Sequence, residues 1–410
     1  MLTVWRRAAE LPGWMKALML GQLVSSAGGL AWIFLTLYLV TDRGMSAQQA
    51  GLAGAAYGAG LLAGNLWGGW FGDRFGLREA VLGSLLGWFV TCSAMPFVPN
   101  GWIAVVAALA GATGGASRPN LSALVAINLP SDRRREGIAL SRTASNAGFT
   151  IGPPLGGLLA AYDFDAVFVL DAVSSLVLAA VVWRWVPKAV RQVEQLGQHR
   201  RGMFRALLTD RRLLVLLLAV VVLDTVYRQI FATMPLMLRD AEAPAVAYGI
   251  LIALSSAIIV LFEAPLAVWL RHHAAVTVVA SGFALVGLGL AAIAVWPALG
   301  GAVIAMVVIT AGEMLYKPTA TAHVADAAPY GMVGRYSSLY AAASISGSLF
   351  APALGGTAYQ HAPRLLWPVA AGIALLAAGA VWLTRRPAAA PAGLPSGSTA
   401  PRSSGSAPLP

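Results

Sequence analysis

Residues 213–238 read LLVLLLAVVVLDTVYRQIFATMPLML, an apolar run closed by Arg211-Arg212 before it and Arg239-Asp240 after it. Wound as an α-helix at 1.5 Å per residue, such a run covers a hydrocarbon core about 30 Å thick. Comparable runs recur along the 410-residue chain, of which 58% is hydrophobic and only 11% charged. A soluble chain of this length carries far more surface charge, so the bilayer is the expected solvent. Reading outward from this run, between charged or Pro/Gly punctuation, the pattern predicts spans at 17–40, 50–70, 80–98, 102–127, 138–161 and 166–185. A second set follows at 213–238, 247–270, 276–296, 301–325, 336–360 and 365–384. They are numbered as spans 1 to 12.

The net charge of +11 does not point to nucleic acid, because the basic residues are scattered between apolar segments and no soluble module carries them. They mark sidedness instead. Arg6, Arg7 and Lys16 precede span 1, Arg133 to Arg135 follow span 4, seven basic residues lie between spans 6 and 7, and Arg385-Arg386 follow span 12. The alternate loops carry mainly Asp42, Asp163, Asp165, Asp240 and Glu242. By the positive-inside rule both termini and the long middle loop face the cytoplasm of a cell membrane. The expected organisation is a six-helix bundle at 1–186, a basic linker at 187–212, a second bundle at 213–384 and a disordered tail at 385–410, rich in Ala, Pro, Ser and Gly.

The two bundles are related in sequence. Arg118-Pro119 recurs as Lys317-Pro318, Val125-Ala126 as Val324-Ala325, Pro130 as Pro329, and Gly152-Pro153-Pro154-Leu155-Gly156-Gly157 as Ala351-Pro352-Ala353-Leu354-Gly355-Gly356, each 199 positions on. A parallel repeat of this kind predicts an all-α polytopic membrane protein of twelve spanning helices in two pseudo-symmetric bundles around a central cavity, one bundle rocking against the other.

After span 2 the chain reads Gly69-Trp70-Phe71-Gly72-Asp73-Arg74-Phe75-Gly76-Leu77-Arg78. This resembles the signature loop between helices 2 and 3 of the major facilitator superfamily, and Gly69, Asp73, Arg74, Gly76 and Arg78 occupy its key positions. The resemblance implies a conformational latch there. Its repeat partner, Arg271-His272-His273, has lost the pattern. In span 5, Gly148, Gly152, Pro153, Gly156 and Gly157 resemble the helix 5 element of the drug/proton antiporter branch. Small residues at this spacing make a flat packing face and the proline pair removes backbone donors, so a hinge is expected. Span 1 has no acidic residue and Ala107 to Ala112 no arginine, where some relatives place both.

Ionisable side chains inside a span are costly and mark function by default. Asp224 and Arg228 of span 7 stand i,i+4, as do Glu313 and Lys317 of span 10, so each pair can meet on one helix face. Glu313 lies about 18 Å along its span from Gly301, near the midplane. Glu313 first and Asp224 second are the candidate proton-coupling carboxylates; the alternative is that the pairs simply neutralise each other. A firmly paired carboxylate does not titrate near neutral pH, so coupling requires the pairing to change between conformations. Arg118, Arg228 and Lys317 are the cavity cations, with Arg118 and Lys317 expected to face one another. The resemblance places spans 1, 4, 7 and 10 around the cavity. On them Gln22, Ser25, Ser26, Asn120, Tyr227 and Tyr316 could supply neutral substrate contacts or helix packing.

The sole cysteine, Cys92, allows no intramolecular disulfide. No phosphate-binding loop, metal-ligand spacing or nucleophile–base pair is visible, so neither catalysis nor a cofactor nor a metal is expected. The expected function is secondary transport by a monomer that handles a small molecule and protons in a lipid bilayer. Proton-driven efflux of small amphipathic compounds stands first, an uptake symporter or facilitator for a metabolite second, and a non-transporting membrane sensor third.

Overall fold

The computed structural model describes residues 11–130, 133–187, 211–270, 272–328 and 333–385, so most of the expected linker and all but the first residue of the expected tail lie outside the described residues. Every regular element there is a helix. In the first half these are α1a (Gly13–Gly28), α1b (Ala31–Thr41), α2 (Ala47–Phe75), α3 (Leu77–Ala94), α4 (Ile103–Asn128), α5 (Arg134–Tyr162) and α6 (Phe164–Trp185), with two short 3-10 turns between α3 and α4. The second half holds α7a (Arg211–Tyr227), α7b (Gln229–Ala232), α7c (Met234–Asp240), α8 (Ala245–Leu270), α9 (Ala275–Val295), α10 (Leu299–Asp326), α11a (Val333–Ile345), α11b (Gly347–His361) and α12 (Pro363–Leu383).

Three spans expected as continuous helices are interrupted. Span 1 breaks at Gly29-Leu30, where two successive glycines weaken helix propagation. Span 7 breaks at Arg228 and again at Thr233, two residues before Pro235. Span 11 breaks at Ser346. The breaks at Gly29 and Arg228 stand 199 positions apart, the offset of the repeat. Conversely, the expected hinge at Pro153-Pro154 leaves α5 as one helix from Arg134 to Tyr162.

Among the described residues eight helical segments are long and apolar enough to cross a membrane. The segments outside that set are α2, α4, α5 and α11, and their lower hydropathy has a packing cause. Gly60, Gly64 and Gly68 of α2 lie directly on Ala108, Ala112 and Ala116 of α4. Small residues every fourth position let the backbones touch, at the expense of apolar side chains. The two halves meet through the same helices: α2 packs on α11b, and α5 on α8. A side chain at Gly58 would collide with Ser348 O, and one at Gly249 with Pro153 O. These contacts lie on the helix ends away from the chain termini.

Exposed aromatic residues form two girdles of the kind that sits at membrane–water interfaces. Phe97, Trp102, Tyr162 and Trp296 ring the end away from the termini, and Trp67, Trp70, Trp183, Trp185, Trp269 and Trp382 ring the other.

Candidate functional site

The breaks in α1 and α11 carry free helix N-termini into the protein interior, where their N–H groups need acceptors. Both find a buried carboxylate on another helix. Asp171 of α6 accepts from Ala31 N at 2.8 Å through Oδ2 and from the Trp88 indole N–H at 2.7 Å through Oδ1. Asp224 of α7a accepts from Gly347 N at 2.8 Å and from Arg228 Nε at 2.8 Å, both on Oδ2. Asp224 therefore does more than neutralise its i,i+4 partner: it caps α11b.

Glu313 forms the second charged centre. Its Oε1 accepts from Lys317 Nζ at 2.6 Å and its Oε2 from Tyr227 OH at 2.7 Å, so the carboxylate ties α10 to α7a. Lys317 Nζ also lies 4.6 Å from the centre of the Tyr227 ring, a cation–π contact. Lys317 is 37% exposed against 14% for Glu313, so the ammonium is the partner nearer water.

Two cavities lie among the helices of the interior. One, of about 360 Å³, is enclosed by the first half and lined by Gln22, Ser25, Ser26, Ser84, Ser117, Arg118, Ser122, Ser141, Arg142, Ser145, Asn146 and Ser175, with Trp32, Tyr57, Trp88 and Phe149 among its apolar walls. The other, of about 230 Å³, lies between the halves, with Arg118 on one side and Arg228, Phe231, Ile345 and Ser348 on the other. Trp32, Tyr57, Leu61 and Arg118 line both. Trp32 meets Phe231 with ring centres 4.9 Å apart, an aromatic contact between the halves.

The sequence candidates are thereby sorted. Gln22, Ser25 and Ser26 line the larger cavity, and Gln22 accepts from the Ser141 hydroxyl at 2.5 Å. Asn120 faces away from both cavities, donating to Gly68 O at 2.8 Å and Ala116 O at 2.9 Å, and so fastens α4 to α2. Tyr316 is buried edge-on against Phe283. Tyr227 serves Glu313. Lys317 turns to Glu313, and Arg228 shares a cavity with Arg118.

In the signature loop, Gly76 takes φ +102°, a conformation that favours glycine, and turns the chain from α2 into α3. Arg78 donates to Val182 O at 3.3 Å and to Trp183 O, which binds the turn to the end of α6. Arg74 lies over the Trp70 and Phe75 rings, and Asp73 is on the exposed face beside it. A Cβ at Gly69 would meet nothing within 4 Å. In α5, Gly148 and Gly152 sit on the last turn of α1a, Gly156 on Leu30 and Phe34, and Gly157 and Pro153 on α8. This element packs α5 at once against the break in α1 and against the other half.

Sequence reading found Arg118 but missed the polar face around it that α4 and α5 present to the cavity. Ser117 and Ser122 flank Arg118 on one helix, and Ser141, Arg142 and Ser145 recur at helical spacing on the other, a signal that the chain itself carries.

A sequence model of the Major Facilitator Superfamily matches residues 18–346. The chain belongs to that superfamily. Its membership and its long apolar helices make it a multi-pass membrane protein of that superfamily. A multidrug resistance protein MdtG of Serratia proteamaculans is 28% identical over 163 residues, 39% of each chain. A protein of the same name from Dickeya zeae is 33% identical over 121 residues, 28% of this chain and 29% of that one. The matched stretch is thus well under half of these relatives. Among solved structures, a mutant of the nucleoside transporter NupG superposes with a TM-score of 0.79 at 12% identity, covering 90% of this chain and 99% of that one. A D-xylose-proton symporter does so with a TM-score of 0.72 at 13% identity, covering 90% and 95%. At such identities the likeness is one of fold.

Proposed function

We propose that this transporter exports small amphipathic compounds across the cell membrane by alternating access, driven by protons taken up at Glu313. The observation that carries the reading is the shared grip on that carboxylate. Lys317 holds it from its own helix and Tyr227 from α7a, so a movement of α7 relative to α10 changes its partners. Asp224 is the second candidate, with Arg228 in the part of Lys317.

Twelve spans in two bundles, with both termini cytoplasmic, suit this scheme. With the termini cytoplasmic, a seam between the halves towards the end away from them agrees with a state open to the cytoplasm, the state in which an exporter loads. The signature loop, at the opposite end, serves in this scheme as the latch of the alternate state. Export rather than uptake follows the names of the two MdtG relatives and the α5 element.

The test uses inverted membrane vesicles with an imposed pH gradient and a radiolabelled substrate. Glu313→Gln is expected to abolish gradient-driven accumulation while substrate exchange without a gradient persists. Undiminished accumulation would sink the coupling assignment. For direction, cells lacking the protein should retain more of a toxic amphipathic compound; lower retention makes the protein an uptake system.

A further inference from the structure

The two cavities share one electrostatic character. Three guanidinium groups line them, those of Arg142, Arg118 and Arg228, and among the described residues no carboxylate does. The nearby acids are turned elsewhere: Glu313 to Lys317 and Tyr227, Asp224 to Gly347 N and the Nε edge of Arg228, Asp171 to Ala31 N and Trp88. Among the described residues neither Arg118 nor Arg142 makes a hydrogen bond or ion pair, and both are exposed where they line the cavity. Arg228 uses Nε on Asp224, so its terminal amino groups are available to the space between the halves.

A cationic wall in a low-dielectric cleft concentrates anions and repels cations. The fork of a guanidinium matches a carboxylate or sulfonate in two-pronged geometry. The remaining lining fixes the body of the ligand. Trp32 and Tyr57 line both cavities beside Arg118, with Trp88 and Phe149 in the larger and Phe231 across the seam, surfaces on which a planar apolar body stacks. The larger cavity holds about 360 Å³, within the range of small-molecule sites.

We propose that the substrate is an organic anion, an aromatic or similarly flat apolar body bearing a carboxylate or sulfonate, with its charge on Arg118 and its body against Trp32 and Tyr57. Arg142 meets the anion on the side of the first half and Arg228 on the side of the second. Arg118, common to both cavities, is the point at which the ligand passes between them. This assignment rests on the transport reading above but not on its direction or coupling ion.

The experiment measures binding to the purified full-length protein in lipid nanodiscs by quenching of tryptophan fluorescence. The probes are 2-naphthoate, the cation 2-naphthylmethylammonium and the neutral 2-naphthalenemethanol, each corrected for partition into empty nanodiscs. Wild type is expected to bind the anion about tenfold or more tightly than either of the others. Arg118→Gln should erase that preference while leaving the neutral probe's affinity within about twofold, and Arg118→Lys should restore part of it. Equal affinity for the ammonium, or an unchanged preference in Arg118→Gln, would overturn the proposal. If Arg118→Gln does not fold, as read by size-exclusion profile, Arg142→Gln provides the same readout with a smaller expected loss, and no loss there counts against the proposal. Because the assay involves no gradient, failure of proton-driven export with the preference intact refutes only the export reading. Absence of the preference in wild type, with export intact, refutes only this one.

Discussion

The break in α1 and the break in α11 solve the same problem with different chemistry. Each exposes the N-terminus of a half-helix inside the membrane, and each is closed by an aspartate from elsewhere in its own half. Asp171 is held by neutral donors, a backbone N–H and the Trp88 indole, so its partners fix it in place without involving a second charge. Asp224 uses one oxygen for both Gly347 N and Arg228 Nε, so the cap on α11b is tied to a cation that lines the cavity between the halves. The first arrangement sets a bend. The second links a bend to whatever charge enters the cavity, since an anion drawn to Arg228 competes for the group that shares Asp224.

The largest way to break this comparison is Asp224→Ala, which strands both Arg228 and the Gly347 N–H. A loss of about 3–5 kcal/mol is expected, read as a fall in thermal stability in detergent. Removing Arg228 as well should recover part of that loss, because the stranded cation is gone; a double variant as unstable as the sum of the singles would argue against coupling. Next comes Asp171→Asn. The amide offers one oxygen where two donors require acceptors, and its own N–H2 then faces a donor, at about 1–3 kcal/mol. Trp88→Phe combined with it should cost less than the two separately, since one donor no longer needs an acceptor. If Asp171→Asn proves harmless, the α1 bend holds without its cap and the comparison fails on that side.

A smaller effect is expected at the seam. Gly58→Ala drives a methyl into Ser348 O and should weaken the seam by about 1–3 kcal/mol, seen as faster reaction of a cysteine introduced at the buried Ala47 with a membrane-impermeant reagent, in a background lacking Cys92. The smallest belongs to Gly69→Ala in the signature loop, where a methyl meets nothing within 4 Å; stability should stay within about 0.5 kcal/mol. A transport defect in that variant without loss of stability would locate the need for Gly69 in the alternate conformation, where the latch reading puts it.

Much of this was legible in the chain. The i,i+4 spacing of Asp224 with Arg228 and of Glu313 with Lys317 identified two ion pairs that the structure forms, because neighbours on one helix face are fixed by helix geometry alone. The Gly-rich faces of α2 and α5 and the turn at Gly76 were readable for the same local reason. Continuous helices at spans 1, 7 and 11 were expected and not found, since apolar composition says a segment prefers the membrane but not where its hydrogen-bond ladder can be interrupted. A break depends on a distant acceptor: Asp171 lies 140 positions from Ala31 and Asp224 lies 123 from Gly347. Asn120 and Tyr316 show the same limit, as helix periodicity puts a residue on a face without saying whether that face meets a cavity or another helix.

By itself, then, the sequence determined that this chain is a helical membrane protein of repeated halves with the superfamily's signature, and which charges pair along a helix. Those features follow from solvent preference and from spacing within about one turn. The tertiary structure decided which carboxylates cap the broken helices, that Arg228 shares a cavity with Arg118, and that these two cavities are lined by cations without acids among the described residues. Such contacts join residues far apart in the chain, and only the packing of one helix on another brings them within a hydrogen bond's reach.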